Sequence, residues 1–224
     1  MSEKYTNPVK KLIPSKMETG FQQFLYKNVG KHIPESATPN QVTLVGALGG
    51  LFAVISTICT NISPVFFIGT ILGVAVHLIA DDLDGYVARS RGMSSRSGAY
   101  FDLITDVLFS TFIILALGLT PYCNIVYAAF AAPLYGVINV TIMNYIIYFN
   151  EFQFPRLGPI EAHLAYVGGA LAGIIFQDND IITIFDTDLM MLDIIIILSI
   201  IPMYYEMVRL AVKLYKRLKE KDSQ

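Results

Sequence analysis

Four aspartates, Asp81, Asp84, Asp102 and Asp106, lie in the stretch 81–106, DDLDGYVARSRGMSSRSGAYFDLITD. Asp81 and Asp84 are spaced i, i+3 and Asp102 and Asp106 i, i+4, so on helices each pair shares a face. Antiparallel neighbours joined by a short loop then bring the pairs together. Converging carboxylates repel and tend to protonate. A hard divalent cation removes the conflict, and an all-oxygen donor set points to Mg²⁺ or Mn²⁺ and not to zinc. Two such ions form a clamp for phosphoryl transfer. Gly85 and Ala88 follow Asp84 and Gly98 lies one turn before Asp102, which leaves an uncrowded surface for a nucleotide, while Arg89 is placed to neutralise phosphate oxygens. The plainer alternative for any one of these carboxylates is a solvated loop rim.

The elements that must position them are set by composition. The chain has 224 residues, 54% hydrophobic and 15% charged, with mean hydropathy +0.54, whereas soluble domains carry about 45–50% apolar and about 25% charged residues. A soluble enzyme is therefore disfavoured, and the net charge of −2 supplies no global field to hold nucleic acid. Spanning a hydrocarbon core takes about 20 mostly apolar helical residues. Six stretches qualify: 41–59, 64–80, 99–119, 124–149, 159–176 and 191–212. The fold expected is all-α, a polytopic membrane protein of one domain. Residues 1–40 form its cytoplasmic and interfacial segment, 41–215 its six-helix membrane part and 216–224 a polar tail. The polar start carries no pattern of a cleavable signal peptide. Cys59 and Cys123 match neither a disulfide framework nor a zinc site.

Basic residues set the orientation. All sixteen lie before the first span, between spans two and three (Arg89, Arg91, Arg96), between four and five (Arg156), or from Arg209 onward. The alternate loops contain none, and the last of them carries Asp178, Asp180, Asp186 and Asp188. Both termini and the aspartates are thus expected on the cytoplasmic side. Within 17–32, Phe21, Phe24, Leu25 and Val29 recur at helical spacing with Lys16, Lys27 and Lys31 elsewhere around the turn. That reads as an amphipathic helix in the interface or packed on the protein.

The pattern Asp81-x-x-Asp84-Gly85-x-x-Ala88-Arg89, eight residues, Gly98-x-x-x-Asp102-x-x-x-Asp106 resembles the signature of the CDP-alcohol phosphotransferases. Thr38-Pro39-Asn40-Gln41-Val42-Thr43 is similar to that family's Pro-Asn-x-x-Thr approach to its first span. The resemblance implies attack by an alcohol hydroxyl on a phosphorus of a CDP-linked substrate with release of CMP. By the same analogy Asp81 and Asp102 bridge two metal ions, Asp84 completes one site, and Asp106 ligates the second ion while acting as general base. It further implies that Asn40, Gln41, Val42, Thr43, Gly85, Ala88, Arg89, Ser95 and Gly98 lie near the CDP moiety, and that the protein is a homodimer. For Ser95 an ordinary loop hydroxyl is the competing reading.

The substrates are read less directly. Residues 154–161, FPRLGPIE, resemble the Gly-Pro-Thr-Glu stretch of choline and ethanolamine phosphotransferases, which move an amino-alcohol head group to diacylglycerol, and 26–46 is similar to their amphipathic approach. Those enzymes have an Asp-His pair where this chain has Asp102-Leu103, so phosphatidyl transfer from CDP-diacylglycerol to inositol phosphate, glycerol phosphate or serine stays open. Candidate acceptor contacts are Arg156, Glu161 and His163; His163 also reads as a packing histidine, as does His77. Arg209 is spaced to pair with Glu206. Small residues Gly46, Gly49, Gly50, Gly168, Gly169 and Gly173 suit close helix contacts. An acidic face in a membrane also fits a divalent-cation transporter.

Overall fold

The computed structural model describes residues 11–13, 16–153, 159–176, 181–184 and 187–223. A short strand β1 (Lys11–Ile13) precedes helix α1 (Lys16–Asn28), which runs through Val29 into a 3-10 turn, Gly30–His32. Six long helices follow: α2 (Pro39–Cys59), α3 (Phe66–Ser90), α4 (Arg96–Gly118), α5 (Ile125–Phe149), α6 (Pro159–Phe176) and α7 (Met191–Asp222). Each is long and apolar enough to cross a membrane, so the chain is an integral membrane protein. The extended remainder is minor. Strand β2 (Glu151–Gln153) pairs in parallel with β1, and β3 (Ile181–Ile184) pairs antiparallel with β4 (Thr187–Met190).

The helix starts follow from local chemistry. Thr38 caps α2: its hydroxyl accepts from the Gln41 amide and its own N–H donates to Gln41 Oε1 at 2.8 Å, with Pro39 as the first helical residue. Ser95 caps α4 by accepting from the Gly98 N–H at 3.0 Å, and Asn124 caps α5. Helix α3 extends ten residues beyond the apolar run that ends at Ala80. Its 25 residues amount to about 37 Å at 1.5 Å per residue, more than a roughly 30 Å hydrocarbon core. The polar last turns therefore belong at an interface. Hydropathy stops at Ala80, but nothing in DDLDGYVARS breaks a helix until Gly92 adopts φ +63°.

Helix α2 lies against α3 and α4, α3 against α6, and α5 against α4 and α7. Glycines permit the α2–α3 approach. A Cβ on Gly73 would lie 2.6 Å from the Gly49 carbonyl oxygen, and one on Gly49 would lie 2.6 Å from Val76 Cγ1. Gly46 and Gly50 also pack within the chain, against Ala80 and Phe109, and Gly173 packs on Phe67. Gly168 and Gly169 differ: among the described residues, nothing beyond the helix's own nearby backbone lies within 4 Å of a Cβ built there. Both cysteines are free. Cys123 is buried in the α4–α5 connection, and burial pushes its thiol well above the ordinary range.

Candidate metal centre

Helices α3 and α4 are joined by the five-residue turn 91–95 and both pack on α2, and their aspartate side chains come together across the space between them. One oxygen each from Asp81, Asp102 and Asp106 falls within a group spanning no more than 4.8 Å. Asp102 Oδ1 is buried and has no hydrogen-bond partner among the described residues. Three carboxylates this close, one with an orphaned oxygen, form a set of oxygen donors suited to a divalent cation. Asp84 stands outside this trio. Its carboxylate, 5% exposed, accepts a 2.5 Å hydrogen bond from the Thr43 hydroxyl on α2, so Thr43 ties the start of the first span to the acidic face.

The other residues singled out by the sequence gather on the same end. A Cβ on Gly98 would lie 2.9 Å from Ser95 Oγ and 3.0 Å from Asn40 Oδ1, which puts the starts of α2 and α4 side by side around Gly98. The Arg89 guanidinium folds back over Gly85: a Cβ there would lie 2.9 Å from its Nη1. Arg89 also donates from Nη2 to the Tyr26 hydroxyl at 2.9 Å. Val42 and Ala88 are half-buried and Asn40 is exposed. The Gln41 side chain and the Ser95 hydroxyl serve as helix caps. Arg91 has another duty, donating to the Ile33, Glu35 and Ala37 carbonyls and so clamping the turn before α2.

The acceptor candidates divide. Glu161 lies in the first turn of α6 and is half-buried. His163 is 5% exposed with Nδ1 2.7 Å from the Pro159 carbonyl oxygen, its ring 5.3 Å from that of His77 and 5.7 Å from that of Phe109. Arg156 and most of the 154–161 stretch lie outside the described residues. Arg209 forms a two-pronged pair with Glu206, as its spacing suggests.

Several neighbours of the centre went unread in the sequence. Tyr135 on α5 and Tyr166 on α6 are close enough to feel the charge of Asp106. Asp82, 6% exposed, accepts from Gln22 Nε2 at 2.9 Å, and Tyr26 stacks on Tyr86 with centroids 4.7 Å apart. These contacts dock α1 on the last turns of α3. Leu25 faces inward at 2% exposure while Phe24 is 60% exposed, so α1 packs on the protein with one aromatic left outside. The only advance signal was the polar Gln22 and Tyr26 beside an apolar stripe, which does not name a partner.

Comparison with known proteins bears on this geometry. The family described as CDP-alcohol phosphatidyltransferase matches residues 36–208, well over half the chain, from before the Thr38 cap to two residues past Glu206. No curated protein sequence matches it.

Proposed function

The chain belongs to the CDP-alcohol phosphatidyltransferase family, a family of transferases of phosphate-containing groups in phospholipid synthesis; from that premise we propose which reaction its aspartates perform. An alcohol hydroxyl attacks a phosphorus of a CDP-linked donor. A new O–P bond forms, the pyrophosphate P–O bond breaks, and CMP leaves with the bonding electrons. The observation that carries this reading is the meeting of Asp81, Asp102 and Asp106 within 4.8 Å.

Asp81, Asp84, Asp102 and Asp106 would hold two divalent ions, Mg²⁺ or Mn²⁺. Bound there, the ions supply charge neutralisation for the pyrophosphate and lower the effective pKa of the attacking hydroxyl. Asp106 accepts the hydroxyl proton, a role that suits a carboxylate only when that pKa is lowered. Arg89, folded on Gly85 and held by Tyr26, meets donor phosphate oxygens with a planar fork. Gly98, Asn40 and Ser95 offer backbone and polar groups to the cytidine side, and Thr43 holds the Asp84 carboxylate in place.

The donor in this reading is a CDP-linked amino-alcohol and the acceptor diacylglycerol, supported by the likeness of 154–161 to the choline and ethanolamine enzymes, with Glu161 and His163 nearest the acceptor. Leu103, where those enzymes have His, favours a second reading, phosphatidyl transfer from CDP-diacylglycerol to a small polar alcohol. Basic-residue placement supports a cytoplasmic location for both termini and the centre, and the family likeness supports a homodimer. A substrate matrix separates the readings: CDP-choline, CDP-ethanolamine and CDP-diacylglycerol, each against diacylglycerol and a panel of small alcohols. Product from a CDP-amino-alcohol with diacylglycerol is expected. Product only from CDP-diacylglycerol would replace the first reading with the second.

A further inference from the structure

Resting on the reaction just described, we propose that His77 is a positioning residue for Asp106, holding one carboxylate oxygen so that the other faces the cation site and the attacking hydroxyl. His77 and Asp81 are four residues apart on α3 and share a face. The His77 ring is 2% exposed, and neither ring nitrogen has a hydrogen-bond partner among the described residues. Leaving a polar group so placed unsatisfied is costly, and a histidine serving only to fill space does not repay that cost. Its Nε2 lies 3.6 Å from Asp106 Oδ1, a gap that closes to a hydrogen bond with a shift of a few tenths of an ångström.

Neighbours fix the ring in that direction. Phe109 meets it edge-on with centroids 4.0 Å apart. Gly46 on α2 lies against the ring: a Cβ there would be in van der Waals contact with His77 Nδ1 at 3.5 Å. His163 differs: its Nδ1 already has the Pro159 carbonyl while its Nε2 faces no carboxylate partner among the described residues, whereas His77 Nε2 faces Asp106. A free carboxylate rotates about its Cβ–Cγ bond. Donation from Nε2–H to Oδ1 stops that rotation, and a charge-assisted bond of this kind is about twice as strong as a neutral one.

The test compares His77→Gln with His77→Met, side chains of equal length of which only Gln presents an N–H. For His77→Met the expected loss in kcat is about 10–100-fold, with KM for the CDP-linked donor within about twofold. Mn²⁺ affinity, titrated without turnover, should fall in parallel, and His77→Gln should recover most of both at a similar Tm. Equal damage from Gln and Met, a change in Tm alone, or collapse of both variants would assign His77 to packing and overturn the proposal. Repeating the Mn²⁺ titration in an Asp106→Asn background should show no further loss from His77→Met, whereas an additive loss contradicts action through Asp106. If wild-type protein binds Mn²⁺ but releases no CMP, the reaction fails as a reading while the titration still judges His77.

Discussion

Carboxylates are buried or half-buried at both ends of the helical bundle, and the two ends satisfy them in opposite ways. At the start of α7, Asp193 is 1% exposed, with Oδ1 accepting from the Asn124 N–H at 2.6 Å and Oδ2 from the Met190 N–H at 2.9 Å. Backbone donors complete it, and it staples the α4–α5 connection to α7. At the α3–α4 end, Asp81, Asp102 and Asp106 face one another, and Asp102 Oδ1 has no partner among the described residues. Burial alone therefore does not mark function. What separates the two ends is whether the protein itself completes the carboxylate or leaves it open to a cation and a phosphate.

Substitutions should separate the ends by kind of damage. The largest effect is expected for Asp106→Asn: turnover falls by about 10²–10⁴-fold, the range of general-base catalysis, while donor binding survives; full activity would remove Asp106 from the mechanism. Asp81→Asn should abolish Mn²⁺-dependent nucleotide binding, and an unchanged Mn²⁺ titration would break the ligand assignment. At the other end the loss should be in stability and not in chemistry. Asp193→Ala leaves two backbone donors unpaired, so thermal or denaturant unfolding in detergent should show about 1–3 kcal/mol lost, with turnover per folded molecule unchanged. Smallest is Arg217→Ala, which removes a partly exposed pair with Glu151. It should change stability by no more than about 1 kcal/mol in the same assay.

The sequence exposed the acidic end through charge placement, and not the Asp193 end. Scarce charges in an apolar chain mark the span ends, and i, i+3 and i, i+4 spacing put the aspartates on helix faces from which Asp81, Asp102 and Asp106 do converge. The extent of α3 was hidden because hydropathy registers where lipid contact ends and not where a helix ends. The separation of Asp84 was hidden because it depends on Thr43 arriving from α2, a contact forty-one residues away. For the same reason Gln22–Asp82, Tyr26–Arg89 and the approach of Tyr135 and Tyr166 could not be read: each depends on how two elements cross. His77 read as packing because its spacing to Asp81 is visible in one dimension, while its distance to Asp106 is not.

The most direct test of the central claim is CMP release from radiolabelled CDP-linked donors by the detergent-purified protein, followed as Mn²⁺ or Mg²⁺ is titrated into chelated enzyme. CMP release should appear with the metal, require an alcohol acceptor and fall by about 10²–10⁴-fold in Asp106→Asn. Metal flux into liposomes without CMP release under any donor and acceptor would contradict the claim and make the acidic end a cation pathway.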